Sequence, residues 1–271
     1  MLPVGLQLYS IRDEMEQDFG GTLKKVKEMG YDGVEFAGLF DHSVEEVKAM
    51  LKEADLIPVS AHVPFVDMIA DPEGTMKTYS EIGCKYIVIP YQPEEYRYGA
   101  PQYDEFIEKT RMLGETACKY GMTLLYHNHD WEFKDVDGKF AMDIMYDSIP
   151  SEYLQTEIDT CWAKVAGTDP ADYVRKYTDR SPVVHLKDYY LEGHVSHMYG
   201  LIGLDDEETA NEDEGFFEYR PLSKGMQDVP SLLKASEDAH AQWVVVEQDE
   251  PSKGMTRMEC VKTSIDYLRS L

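Results

Sequence analysis

The sequence predicts an α/β protein built as a single (β/α)8 TIM barrel. Three observations predict it. Short β-rich apolar runs alternate with amphipathic helical stretches, which calls for parallel strands joined by right-handed crossovers. The alternation repeats eight times within 271 residues, the size of one such barrel. No linker divides the chain, so residues 1–271 read as one domain. An open doubly wound sheet is the rival. Against it, the first strand is followed by Tyr9-Ser-Ile-Arg-Asp, with none of the GxGxxG of a dinucleotide-binding turn.

The elements follow in order. A first strand is expected over residues 4–10. Its helix spans 19–30, with Leu23, Val26 and Met29 at helical spacing and Gly30 as the C-terminal cap. Strand two is 33–37. The helix over 43–55 opens with Ser43 and Glu46, a capping box. Strand three is 58–64, a helix 72–83, strand four 85–91 and a long helix 103–120 closed by Gly121. Strand five, 122–129, precedes a helix at 140–148, and strand six is 153–160. A helix over 170–178 is capped by Asp169, and strand seven is 183–187. An irregular segment, 190–225, is long for a connection inside a compact domain and reads as a lid or binding loop. It holds His194, His197 and the acidic run 205–208. A helix at 229–239, strand eight at 243–248 and a helix at 255–271 close the chain.

Composition narrows the function. Lys and Arg number 26 against 52 Asp and Glu, a net charge of −26. That field repels nucleic-acid phosphates and anionic membrane surfaces, and it favours cation capture. No apolar run reaches the roughly 20 residues of a membrane span. The N-terminus has no basic, apolar signal sequence, and the cysteines Cys84, Cys118, Cys161 and Cys260 form no CxxC pair. A cytoplasmic protein is expected, with a homo-oligomer left open.

A barrel places its chemistry at the C-terminal ends of its strands. Those ends carry Gln7 and Tyr9, Glu35, His62, Tyr91, His127 and His129, Glu157 and Asp159, His185 and Lys187, and Glu247 and Asp249. So many ionisable groups at one mouth are costly to bury unpaired, and a divalent cation would offset that cost. Taken singly, each has an ordinary reading as well. Trp131 and Trp162 serve packing or a sugar face; His194 and His197 are solvated loop residues. Oxygen and imidazole ligands without cysteine suit Mn, Mg, Zn or Co.

The motifs Gly5-Leu-Gln-Leu-Tyr-Ser, Tyr126-His-Asn-His-Asp-Trp-Glu-Phe, Glu157-Ile-Asp-Thr-Cys-Trp, His185-Leu-Lys-Asp, Pro221-Leu-Ser-Lys-Gly and Val246-Glu-Gln-Asp-Glu together resemble the xylose-isomerase-like barrel superfamily. The resemblance runs over essentially the whole chain and is specific for the superfamily, but weak for substrate. The group includes sugar and sugar-phosphate isomerases and epimerases, inosose dehydratases and apurinic-site endonucleases. It implies one divalent metal held by Glu, Asp, His and Glu from strands five to eight. The last three carry over as Asp159, His185 and Glu247. Strand five departs from the pattern: His127 stands at its end, and the nearest glutamate is Glu132, so either could be the fourth ligand.

The resemblance implies a metal-dependent isomerase or epimerase that abstracts a proton next to a metal-bound carbonyl of a keto-sugar or sugar phosphate. An inosose dehydratase or keto-glycoside lyase or hydratase using the same site is the alternative, and a non-catalytic sugar-binding barrel is another. An endonuclease would need a basic groove, which a charge of −26 argues against. Glu247 is the expected base, His127 and His129 the complementary acids, and Lys187 a donor to developing negative charge. Gln7, Tyr9, Glu35, His62 and Trp162 are the expected sugar contacts.

Overall fold

A computed structural model describes residues 2–193, 195 and 215–271. Its main sheet has eight strands: β1 (Val4–Gln7), β2 (Gly33–Phe36), β3 (Ile57–Ala61), β4 (Tyr86–Ile89), β5 (Thr123–His127), β6 (Gln155–Asp159), β7 (Val183–Leu186) and β8 (Trp243–Val246). Neighbours pair in parallel, and β1 pairs with β8. Between β3 and β4 the circle closes through a single bridge, His62 beside Val88. The eightfold alternation thus gives the barrel that the sequence predicts.

The strands are short, and almost every residue in them is buried on both faces. Alternation sorts their side chains. Val59, Val88, Leu125, Val183 and Val245 form a small cluster, while Ile87 and Ile89 join the larger core shared with the helices. Burying each such side chain stabilises the fold by about 1.5–3 kcal/mol. Gly33 is required where β2 meets β3. A Cβ there would lie 2.7 Å from both the Ile57 carbonyl oxygen and Val59 Cγ2.

Helix ends follow the predicted caps. Ser43 and Glu46 form the capping box of Val44–Ala54, and Gly30 and Gly83 end their helices at positive φ. Asp169 caps Pro170–Lys176 with its side chain. The closing helix, Arg257–Ser270, begins behind a second capping box, Thr256 with Glu259, that the sequence reading passed over. No described helix is long and apolar enough to cross a membrane.

Two expectations change. Strand one stops at Gln7, not at residue 10, because the Gln7 side chain accepts the Tyr9 N–H at 2.9 Å and turns the chain into a 3-10 helix, Leu8–Ile11. The segment 190–225 is not irregular throughout. Asp188–Glu192 pairs antiparallel with Phe216–Arg220, with Tyr190 opposite Glu218. Asp188 anchors this ribbon by accepting N–H groups from Tyr189, Gly225 and Gln227 at 2.9, 3.0 and 3.0 Å. The Pro221-Leu-Ser-Lys-Gly motif is therefore a fixed turn. His194, His197 and residues 205–208 lie outside the described residues.

Candidate metal centre

Strand register assembles the site. His127 is paired with Glu157, Asp159 with His185, and His185 with Val245, two residues before Glu247. Adjacent strand ends therefore present one donor each. His127, Asp159, His185 and Glu247, all buried, offer ligand atoms within 4.8 Å of one another. A second such group, Glu35, His62, Glu157 and His185, shares one histidine with the first.

His185 joins the two groups by its two nitrogens. Nδ1 lies 3.2 Å from Glu247, while Nε2 lies 2.8 Å from Glu35 and 3.3 Å from Glu157. The Glu35 side of the imidazole is a hydrogen-bonded network. Glu35 accepts from Gln7 Nε2 at 2.7 Å and from the Ser60 hydroxyl, and His62 Nε2 lies 2.6 Å from Glu157. Among the fully buried atoms of that group, Glu157 Oε1 alone completes no hydrogen bond.

The Glu247 side differs. His127 Nε2 and Asp159 Oδ2 are buried and complete no hydrogen bond, though they lie 3.4 Å apart. Their other atoms are committed. His127 Nδ1 lies 3.1 Å from the Pro90 carbonyl oxygen. Asp159 Oδ1 accepts the Cys161 and Trp162 N–H groups at 2.7 and 3.0 Å, capping the next helix, Thr160–Val165. Asn128 locks both strand ends by accepting Asp159 N–H at 3.0 Å and donating to its carbonyl at 3.2 Å. The two atoms thus face each other from fixed side chains at ion-pair distance, with Glu247 3.5 Å from His127 Nε2 and Lys187 3.7 Å from Asp159 Oδ2. Burying them without a completed hydrogen bond is unfavourable, and a shared cation would offset that cost. This donor set fits a divalent ion, with His127, Asp159, His185 and Glu247 as holders.

The charges agree. The carboxylates of Asp249, Glu247 and Asp159 face Lys187 at 2.6, 3.0 and 3.7 Å, while Glu35 and Glu157 face His62 and His185. Burial alone would lower the Lys187 pKa, but Asp249 and Glu247 outweigh it and hold the ammonium protonated. Burial likewise disfavours a charged His62, yet Glu35 and Glu157 raise it to about 10. Burial also opposes charge on Glu247, and Lys187 with His185 pulls it well below the usual carboxylate range. His129 goes the other way: burial, then His127 and Lys187, push it well down, so its imidazole is neutral.

A cavity of about 500 Å³ opens above these donors. Tyr9, His62, His127, His129, Lys187, Glu247 and Asp249 line it. Of the expected sugar contacts, Tyr9 and His62 reach the cavity, whereas Gln7, Glu35 and Trp162 do not. These three are fully buried supports. Glu35, itself held by Gln7, meets His185 and His62 from below, and Trp162 lies under the Lys187 ammonium at 5.4 Å. His129 stacks flat on Trp131 at 4.2 Å, with the Arg97 guanidinium 3.9 Å from the Trp131 ring. Arg97 was missed by the sequence reading, and Asn128 entered it only as part of the motif that ends strand five; only packing reveals what they hold.

A family model described as "Xylose isomerase-like TIM barrel" matches residues 23–271. The chain belongs to that xylose isomerase-like family. An inosose dehydratase of Geobacillus kaustophilus is 23% identical over 189 residues, 62% of this chain and 61% of that one, so the match spans less than two thirds of the relative. A sugar phosphate isomerase/epimerase structure from Parabacteroides distasonis superposes with a TM-score of 0.79 at 21% identity, covering 99% of this chain and 94% of that one. The structure of the IOLI protein with a bound zinc atom gives a TM-score of 0.71 at 16% identity, covering 99% and 97%.

Within this xylose isomerase-like barrel, the strand-five question has a geometric answer. Glu132 stands apart from both donor groups. The 3-10 turn Trp131–Phe133 carries it away from the centre, where it accepts from the Tyr126 hydroxyl and, at 2.8 Å, from the His129 N–H. Burial raises its pKa to about 7 despite those donors. His127, not Glu132, stands among Asp159, His185 and Glu247.

Proposed function

We propose that this protein is a divalent-metal-dependent enzyme that abstracts a proton next to the carbonyl of a sugar, acting as an isomerase or epimerase. The observation that carries the reading is the convergence of His127, Asp159, His185 and Glu247, two of them with buried atoms that complete no hydrogen bond, beneath a cavity lined by further acid–base groups. Mn, Zn, Mg or Co would suit these donors. Such an ion, when bound, supplies Lewis acidity toward a carbonyl oxygen and an adjacent hydroxyl.

The chain's own residues do the rest. Glu247 is ionised and lines the cavity, so it is the base. Lys187 stays an ammonium and cannot serve as base. It steadies Glu247 and Asp249 and keeps positive charge beside oxygens that become negative. His127 is assigned to the ion. His129 keeps the proton-transfer role by position: it lines the cavity, clamped by Trp131 and with Nδ1 making no hydrogen bond, and its lowered pKa makes it a weak base that holds a proton only briefly before passing it on.

Dehydration of an inosose or keto-sugar is the second reading. It is favoured by imidazole, not carboxylate, at the end of β5, and by curated relatives named inosose dehydratase. Both readings share the first proton removal. The test is to load the protein with Mn, Co or Mg, add keto-sugars and inososes in D2O, and follow solvent deuterium by NMR. Metal-dependent incorporation is expected. Exchange with no member of the panel would leave only a sugar-binding barrel.

A further inference from the structure

A second, smaller cavity lies behind Trp131. The 3-10 turn Glu94–Tyr96 follows β4 and delivers Arg97 to its wall. The helix Tyr103–Lys119 starts there with Tyr103, and the helix Ala141–Ser148 supplies Met142 and Met145. The space is about 140 Å³, well below the roughly 300–1,000 Å³ of pockets that enclose a larger ligand, so it suits a molecule of a few non-hydrogen atoms. Trp131 divides it from the barrel mouth. His129 lies parallel to that ring at 4.2 Å, and the Arg97 guanidinium is 3.9 Å from its centre. Two groups so close to one ring centre cannot share a face, so Arg97 marks the far side.

The polar atoms around this space are donors that lack acceptors. Gln92 is 3% exposed, and its Nε2, which can only donate, completes no hydrogen bond. The Tyr103 hydroxyl oxygen is buried and equally unmet, and burial keeps its proton on by pushing its pKa up to about 12. Arg97 donates its Nε to the Gln92 carbonyl at 3.4 Å, and among the described residues its two terminal nitrogens meet no acceptor. Lys134 stands exposed at the rim and forms no ion pair among the described residues. Glu132 is the one carboxylate on the described wall, and the Tyr126 hydroxyl and the His129 N–H already occupy its two oxygens. The groove beside Asp143 shows the ordinary case. Lys139, Lys176 and Arg180 line it, but Asp147, Asp143 and the Tyr146, Ile149 and Leu154 carbonyls take their donors.

We propose that the cavity behind Trp131 binds a small organic carboxylate. The open fork of Arg97 matches the two oxygens of a carboxylate, and Gln92 Nε2, the Tyr103 hydroxyl and Lys134 supply further donors to them. The aliphatic end lies against Met142 and Met145, which an inorganic anion would leave uncovered. The site is separate from the metal centre, and the inference does not depend on the sugar reading.

The experiment is calorimetric titration of the full metal-loaded chain with sodium formate, acetate and propionate, and with inorganic phosphate, at an ionic strength fixed by sodium chloride. Each step from formate to propionate should tighten binding about threefold, the worth of a buried methylene. Arg97→Gln and Gln92→Leu should each weaken propionate at least about tenfold, the worth of one charge-assisted hydrogen bond. Lys134→Gln, at an exposed position where folding is not at stake, should weaken it about threefold. Carboxylates also ligate metal ions, so Asp159→Asn decides the location. It should keep the propionate site that Arg97→Gln loses. Binding that disappears in Asp159→Asn and persists in Arg97→Gln puts the anion on the metal and overturns the inference. Wild type that shows no saturable binding overturns it too, as does phosphate that binds as tightly as propionate.

Discussion

Two buried aspartates in this barrel, each at the centre of a polar cluster, differ in what their oxygens meet. Asp143, on the helix Ala141–Ser148, accepts from the Tyr173 and Tyr177 hydroxyls at 2.9 and 2.6 Å and from Lys176 at 2.6 Å. Both of its oxygens are used by the fold itself. At the barrel mouth, Asp159 and His127 each keep one buried atom that completes no hydrogen bond and meets only charged groups at 3.4 to 3.7 Å. A carboxylate whose partners are complete is a staple between elements. One held rigid with an atom to spare is prepared for something that arrives later.

The comparison can be broken from either side. The largest effect should come from Glu247→Gln, which removes the proposed base; deuterium exchange should fall by about 10²–10⁴-fold. The melting temperature should fall, because the buried Lys187 and His185 lose the carboxylate that they face. A variant that exchanges normally would move the base elsewhere.

Asp143→Ala should do the opposite. It strands two tyrosine hydroxyls and a lysine, so stability should drop by about 2–3 kcal/mol in urea unfolding, with metal content unchanged. Loss of metal there would erase the distinction drawn between the clusters.

Asp159 serves both purposes, and two substitutions separate them. Asp159→Ala removes the helix cap as well as the charge and should cost about 1 kcal/mol more than Asp159→Asn, which keeps an acceptor for Cys161 and Trp162. Equal stability of the two variants would deny the cap.

The smallest effect is a pH dependence. Burial pushes the Asp143 pKa up, but Lys176, Tyr177 and Tyr173 outweigh it and lower it below its ordinary value. A depressed folded pKa contributes stability that is full above the unfolded value of about 3.9 and is lost as pH falls through the folded one. The stability gap between wild type and Asp143→Ala should therefore narrow in acid, as read by unfolding titrations between pH 7 and 3. A gap that widens in acid would reverse the sign of the Asp143 contribution.

Much of this architecture is legible in the sequence because local signals agree with the fold. Val-Val-His-Leu and Trp-Val-Val-Val read as buried strands, and Ser43 with Glu46 reads as a helix start. Asp159, His185 and Glu247 sit where an apolar run meets polar residues. What escaped depends on distance or on fine turns. The spacing of His127 and Glu132 allows either to approach the centre; only the 3-10 turn at Trp131–Phe133 decides. The ribbon of Asp188–Glu192 with Phe216–Arg220 joins arms far apart in the chain, and no local pattern announces that pairing. Gln7 and Glu35 look like site residues because they end strands. Their burial beneath His62 and His185 shows that they orient those histidines.

The central claim is that His127, Asp159, His185 and Glu247 hold one divalent ion. Elemental analysis tests it most directly, on protein loaded with Mn or Zn and then dialysed, with Asp159→Asn, His127→Ala and Glu132→Gln run beside wild type. The account predicts about one ion per chain in wild type and in Glu132→Gln. It predicts strongly reduced metal in the other two variants, with circular dichroism unchanged. Metal retained by Asp159→Asn and His127→Ala but lost from Glu132→Gln would contradict it.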